Sequence, residues 1–177
     1  MTLAAKFAQG VAALGVELAA EAQGRLLDYL ALLQKWNKVY SLTAVREPQK
    51  MVSHHLLDSL AVLPHIAGRT ILDVGSGAGL PGVPLAVALP QAQVTLLDSS
   101  HKKAAFLKQV VIELGLQNAT VICERVESWR PRQSFELVIS RAFSDLTEYL
   151  LLAGRLCESG GAIAALKGVY PDRKSVV

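Results

Sequence analysis

The sequence predicts an α/β fold: a parallel sheet with helices on both faces, preceded by a helical region over 1–68. Three observations predict it. Ahead of residue 69, apolar residues recur every three or four positions, the spacing of amphipathic helices. From Thr70 onward, short apolar runs alternate with helical stretches, the pattern of a sheet wound by crossover helices. At the join, the apolar run 71–74 breaks into glycines at alternate positions, Gly75, Gly77 and Gly79.

Taken in order, Leu3, Phe7, Val11 and Leu14 outline a first helix, and Leu26, Leu30, Leu33, Trp36 and Tyr40 a second, with Gly24 near its start. Pro48 opens a third that runs through Met51, Val52, Leu56, Leu60 and Leu63 until Pro64 and Gly68 end it. Strands are expected at 71–74, 94–97, 120–123, 137–140 and 162–166. Helices are expected at 82–89, at 102–114 with Gly115 as its C-cap, and at 146–156. The expected organisation is a helical region over 1–68 packed on a core over 69–177.

Composition narrows the class. A chain of 177 residues holds one domain with a sizeable core, and 51% hydrophobic against 19% charged residues is too apolar for disorder. The most apolar stretch, 80–89, is short and carries Pro81 and Pro84, so it cannot span a bilayer, and the N-terminus lacks a signal-peptide pattern. A soluble cytoplasmic protein is expected. Cys123 and Cys157 lie far apart in apolar surroundings and are expected to be buried free thiols rather than a disulfide or metal site. The net charge of +3, from 18 basic and 15 acidic residues, permits an anionic partner without requiring one.

The glycine loop carries the chemistry. Glycines at alternate positions let the backbone turn tightly and approach a ligand, and Pro81 suits the first turn of the following helix. A dinucleotide fingerprint would need glycine at position 80, where the chain has Leu80, and its third glycine comes early at Gly79. This disfavours a nicotinamide-dependent oxidoreductase. G-x-G-x-G after an apolar strand ending in Asp is the form usual for S-adenosylmethionine (SAM), and it points to a Rossmann-like class I SAM-dependent methyltransferase sheet. The chain stops at Val177, shortly after the fifth expected strand, so the last strands of such a sheet are expected to be missing.

Asp98 closes the second strand 23 residues after Gly75, where its carboxylate can accept both ribose hydroxyls of a nucleoside. The alternative, an N-cap for the next helix alongside Ser99 and Ser100, is disfavoured because loop and acid occur together in the right order. Glu127, in Arg125-Val126-Glu127 after the third strand, reads equally as an acceptor for the adenine amino group and as a surface turn. Asp73 is expected to brace the glycine turn through backbone N–H groups. Arg141, in Ser140-Arg141-Ala142-Phe143, ends the fourth strand, where ligands of open α/β sheets bind. A guanidinium only donates, so it suits the methionine carboxylate, a phosphate or the O6/N7 edge of guanine; the alternative, a surface arginine in a salt bridge, is disfavoured by its place at the strand end. Lys102 and Lys103 open a helix, and Lys167 follows the fifth strand before Gly168; lysines so placed can hold phosphates. For Lys108 a solvated face is the simpler reading. His54 and His55 have no metal-ligand spacing and are expected to be ordinary surface or half-buried residues. No metal site and no Ser-His-Asp arrangement is suggested.

Together, Trp36-Asn37-Lys38, Leu42 to Arg46, His55 to Leu60, Leu72 to Gly82, Leu97-Asp98-Ser99, Arg125-Val126-Glu127, Ser140 to Phe143 and Leu166-Lys167-Gly168 closely resemble the ribosomal RNA small-subunit methyltransferase G family, also called glucose-inhibited division protein B. The resemblance implies a bacterial, cytoplasmic, SAM-dependent enzyme that methylates N7 of a guanine in the decoding-region loop of 16S rRNA. The substrate would be met within small-subunit ribosomal particles, by a monomer and without a membrane partner. It carries cofactor positions over to Gly75, Leu80, Val126, Glu127 and Arg141, and RNA or active-site lysines to Lys102 and Lys167. The chain departs from the family at Ser41, where members commonly have Asn, and in ending before the family's further strands and basic C-terminal residue. Alternative readings are a SAM-dependent methyltransferase with another substrate and a SAM- and RNA-binding module without activity.

Overall fold

The computed structural model describes residues 2–141, 143 and 145–166. Five strands form one parallel sheet in the order β3-β2-β1-β4-β5: β1 (Thr70–Val74), β2 (Gln93–Leu97), β3 (Ala119–Ile122), β4 (Phe135–Ser140) and β5 (Cys157–Ala165). The strand order reverses at β1, so the carboxyl ends of β1, β2 and β4 form the crevice in which such sheets bind ligands. Central β1 and β4 are buried on both faces, which is why their sequences read as unbroken apolar runs rather than alternating ones.

The helices are α1 (Leu3–Leu14), α2 (Ala20–Tyr40), α3 (Pro48–Met51), α4 (Asp58–Leu60), α5 (Gly82–Ala88), α6 (His101–Glu113) and α7 (Leu146–Gly154). Thr2 caps α1 by accepting from the Ala5 N–H, and Gly15 closes it in the left-handed region. At the end of α6, Gly115 at φ 58° lets its N–H reach the Ile112 carbonyl while the Leu116 N–H reaches that of Val111, a Schellman closure at the expected glycine. One face of the sheet packs on α1, α2, α5 and α6 through Phe7, Tyr29, Leu30, Leu33, Val83 and Phe106, so the N-terminal helices share a continuous core with β1 and β2. The opposite face packs on α7 through Leu72, Val138 and Tyr149.

The second helix begins at Ala20, with Gly24 near its start as expected. Three expectations need correction. The third helix is not continuous. After α3 it widens into a π-helical segment (Val52–Leu57), returns to α4, and ends in a short 3-10 turn (Leu63–His65) that contains Pro64. The π turn keeps Val52, His55 and Leu56 buried against α1 and α3, and apolar spacing alone does not distinguish it from an α-helix. The fifth strand begins at Cys157, five residues before its expected start at 162. Glu158-Ser159-Gly160-Gly161 reads as a turn but forms an irregularity in the β4–β5 ladder, with Gly160 at φ 85°. Cys123 and Cys157 are free thiols, half-buried rather than buried, because Cys123 directly follows β3 and Cys157 opens β5, the outer strands of the sheet.

Among the described residues, no helix is long and apolar enough to cross a membrane, and no group of His, Cys, Asp and Glu could hold a metal ion.

Candidate active site

The glycine turn is fixed from below by the strands it joins. Gly75, Gly77 and Gly79 have φ of 69°, 59° and 92°, the left-handed region that a Cβ disfavours. The Gly75 and Ser76 N–H groups both donate to the Leu97 carbonyl at 2.8 and 3.0 Å, so the turn is tied to β2. Gly79 is also a packing position: a Cβ there would stand 2.6 Å from Val83 Cγ2.

Asp73 braces the turn as expected, and from deep inside the molecule. Its Oδ2 accepts from the Gly82 N–H at 2.9 Å, while Oδ1 has no hydrogen-bond partner among the described residues. Burial pushes the carboxyl up to about 7, against the pull of the Gly82 hydrogen bond and of the Arg141 charge. Gly82 is required at this contact, since a Cβ would lie 2.6 Å from that same Oδ2.

Asp98 is buried at the end of β2 and faces the loop. Its Oδ2 accepts from the Gly77 N–H at 2.9 Å, its Oδ1 from the Ser100 N–H at 2.8 Å, and Lys103 Nζ stands 3.9 Å from Oδ2. It is not the helix cap; that role falls to Ser100, whose hydroxyl faces the Lys103 N–H. Each carboxylate oxygen carries more than one lone pair, so Asp98 can hold the loop and still accept from a ligand hydroxyl.

Gly75, Asp98, Val126 and Glu127 line one cavity of about 170 Å³ at the carboxyl ends of the strands, with Val74, Leu97, Ser99, Glu124, Arg125 and Phe143. Glu127 and Arg125 are exposed at its rim, Val126 is packed beneath, and Phe143 stacks on Tyr149 with ring centroids 5.1 Å apart. The other predicted site residues that the structure describes lie outside this lining. Gly77 spends its N–H on Asp98, and Gly79 packs on Val83. Leu80 is buried in the main core, so only its backbone can face a ligand. Arg141 donates to the His54 carbonyl at 3.0 Å and stands 3.5 Å from Asp58 Oδ2, which joins the end of β4 to the π-helical segment. Lys102 is exposed on the first turn of α6, with Nζ 6.0 Å from the centre of the Tyr40 ring. Lys167 and Gly168 lie outside the described residues, as does Ala142 of the Arg141 motif.

The structure adds residues that spacing did not single out. Tyr29, fully buried on α2, donates its hydroxyl to the Ala78 carbonyl at 2.6 Å and so holds the glycine turn from the helical side; burial pushes its pKa far up. It lies one residue before Leu30 of the Leu26-Leu30-Leu33 stripe, and the spacing that outlines the helix does not single it out. His55 is buried, a correction to its expected surface or half-buried place. Its Nδ1 faces the His54 carbonyl and must carry the proton, leaving Nε2 to accept from the Thr43 hydroxyl at 3.0 Å. Burial pushes its pKa down, which keeps the ring neutral. Buried Asn37 exchanges two hydrogen bonds with the Thr43 backbone. Asn37, Thr43 and His55 thus fix the chain between α2 and α3, on the segment whose His54 carbonyl holds Arg141.

The sequence model of rRNA small subunit methyltransferase G (GidB) matches residues 22–176. The chain belongs to this family. Relatives named ribosomal RNA small subunit methyltransferase G include those of Nitrosospira multiformis, 57% identical over 98% of this chain and 84% of the relative, and of Laribacter hongkongensis, 55% identical over the same shares. Among solved structures, an O-methyltransferase from Bacillus cereus in complex with S-adenosylhomocysteine (SAH) superposes with a TM-score of 0.58 at 20% identity, over 77% of this chain and 64% of that one. A SAM-dependent methyltransferase from Thiobacillus denitrificans in complex with SAH gives a TM-score of 0.52 at 19% identity, over 72% and 51%. At such identities these two share the fold with the chain, and each extends well beyond the superposed part. Membership in the methyltransferase G family makes SAM the cofactor that the glycine spacing predicts.

Proposed function

We propose that this methyltransferase G family member transfers the methyl of SAM to N7 of a guanine in the decoding-region loop of 16S rRNA, in the cytoplasm, as a monomer acting on small-subunit ribosomal particles. The observation that carries the reading is the joint between Asp98 and Gly77, which sets a carboxylate and a left-handed glycine turn against one cavity at the strands' carboxyl ends. These residues fit the cofactor. The turn carries no Cβ at its positive-φ positions Gly75, Gly77 and Gly79, Asp98 keeps lone pairs for ribose hydroxyls, and Glu127 at the rim offers an acceptor to an adenine amino group beside Val126.

When bound, SAM supplies an electrophilic methyl on a sulfonium. Guanine N7 carries an in-plane lone pair that is unprotonated at neutral pH, so the chain's residues need not remove a proton. They must orient. Arg141, anchored by the His54 carbonyl, and Lys102 on α6 offer donors to the guanine O6 edge, to a carboxylate or to phosphates, and Lys167 is assigned the same task from its sequence position. Orientation of this kind can lower a barrier by several kcal/mol, of the order of 7–11 in favourable intramolecular cases.

The test is incubation of the protein with methyl-labelled SAM and three acceptors: undermethylated small-subunit particles, free 16S rRNA, and a pool of small metabolites. Label in the rRNA of the particles is expected. Label in the metabolites alone would support a methyltransferase with another substrate, and RNA binding without label a module without activity; either result contradicts the proposal. Arg141→Ala should strongly lower transfer, and wild-type rates in that variant would remove Arg141 from the mechanism.

A further inference from the structure

We propose that the exposed end of α2 is a stacking platform for an unpaired base that flanks the target guanine, with Tyr40 as the stacking ring. The inference rests on RNA being the substrate. In Lys38-Val39-Tyr40, Val39 is 73% and Tyr40 38% exposed, an apolar surface where a helix end would ordinarily be polar. The Tyr40 ring is held from within: its centroid lies 5.2 Å from that of Trp36, which lies 5.5 Å from that of fully buried Phe106. Three rings therefore run from the core to the surface, and the last is fixed before any ligand arrives. The Tyr40 hydroxyl makes no hydrogen bond among the described residues, so what the side chain offers a ligand is the exposed face of its ring.

The charge around the ring fits a nucleic acid. Lys102 Nζ stands 6.0 Å from the Tyr40 ring centre, the outer limit of a cation–π contact, from which it can turn to a phosphate. Lys38, near the end of the same helix, lines with Arg46 a cavity of about 260 Å³ that Tyr40 does not border. Among the described residues, none of these three cations has a carboxylate partner, whereas Lys50, Lys103 and Arg141 do. An aromatic face beside an unpaired cation, with two further unpaired cations on the same helix end and the segment after it, suits the way single strands are held, with bases stacked on rings and phosphates on lysine and arginine. Position suits a flanking base: Lys102 lies on the first turn of α6, immediately after the Asp98-Ser99-Ser100 segment that borders the cofactor cavity.

The test measures binding of a fluorescent single-stranded RNA, and of the same strand annealed to its complement, by the wild type, Tyr40→Leu and Tyr40→Phe. SAM affinity is measured in parallel as a control of fold. The leucine variant should lose about five- to a hundred-fold in affinity for the single strand, the range of one base–aromatic stack, with duplex and SAM affinity unchanged, and the phenylalanine variant should bind as the wild type does. On rRNA, the leucine variant should raise KM more than it lowers kcat. Lys38→Gln should reduce the slope of log affinity against log salt by about 0.7 for the single strand, one phosphate contact. Unchanged single-strand affinity in Tyr40→Leu overturns the platform, as does an equal loss for single strand, duplex and SAM. If the wild type methylates rRNA but Tyr40→Leu binds normally, only the platform fails. If binding depends on Tyr40 but no RNA is methylated, the proposed function fails and takes the flanking position of the base with it, and Tyr40 is a stacking ring for single-stranded RNA without a target guanine.

Discussion

Asp73→Asn isolates the energetic consequence of placing a carboxyl under the glycine turn. In the folded chain burial raises Asp73 from its ordinary 3.8 to about 7, so folding takes up a proton between those values. The sign follows from linkage: this contribution to stability is complete below pH 3.8 and is lost as pH rises through about 7. The difference of about three pH units, at 1.36 kcal/mol each, corresponds to about 4 kcal/mol in all, of which roughly 2.5 kcal/mol is lost between pH 5 and pH 8. Asparagine keeps an oxygen for the Gly82 N–H and cannot ionise. Its own packing and hydrogen-bond changes are the same at every pH. His55, whose depressed pKa makes stability fall as pH drops below about 6.5, is present in both chains and cancels in the comparison. The assay is urea unfolding of wild type and variant at pH 5 and pH 8. Relative to the wild type, the variant should gain roughly 2.5 kcal/mol on moving from pH 5 to pH 8. A stability difference that stays constant between the two pH values would refute a buried carboxyl that titrates near neutrality.

Three further outcomes are expected. Tyr29→Phe leaves the buried Ala78 carbonyl without its donor and should cost about 1–3 kcal/mol in unfolding experiments, with weaker SAM binding because the turn loses its hold on α2. Ser41 closes α2 at φ 51°, and Ser41→Asn should stabilise the chain by roughly 0.5–1 kcal/mol, read as a raised Tm, because asparagine tolerates the left-handed region better. Asp98→Asn removes one of the acceptors shared by the Gly77 and Ser100 N–H groups and all of the charge. Calorimetry should find SAM affinity lowered by about ten- to a hundred-fold, the scale of one hydrogen bond to a charged group.

The parallel sheet, the glycine turn and the Asp98 acid were legible in the sequence because each is written in local spacing. Apolar runs of strand length, glycines where φ is positive and an acid at the next strand's end are all short-range signals. What the sequence concealed depends on contacts between distant segments. The π-helical turn at 52–57 has the same apolar spacing as an α-helix, and its effect, the delivery of the His54 carbonyl to Arg141, spans 87 residues. His55 reads as a surface or half-buried residue until Thr43 is seen to receive it. Tyr29 is not singled out because the helical period reports burial and says nothing about where a hydroxyl points. The start of β5 was hidden by Gly160 and Gly161, which carry the composition of a turn inside a strand.

The central claim is tested most directly by finding the atom that receives the methyl. Particles methylated by this chain are treated with borohydride, which reduces N7-methylated guanines, and then with aniline, which cleaves the strand there; primer extension locates the break. The account predicts new cleavage at one guanine of the decoding-region loop, dependent on SAM and lost in Asp98→Ala. Label incorporated into the rRNA without such cleavage, or at a base other than guanine, would contradict it.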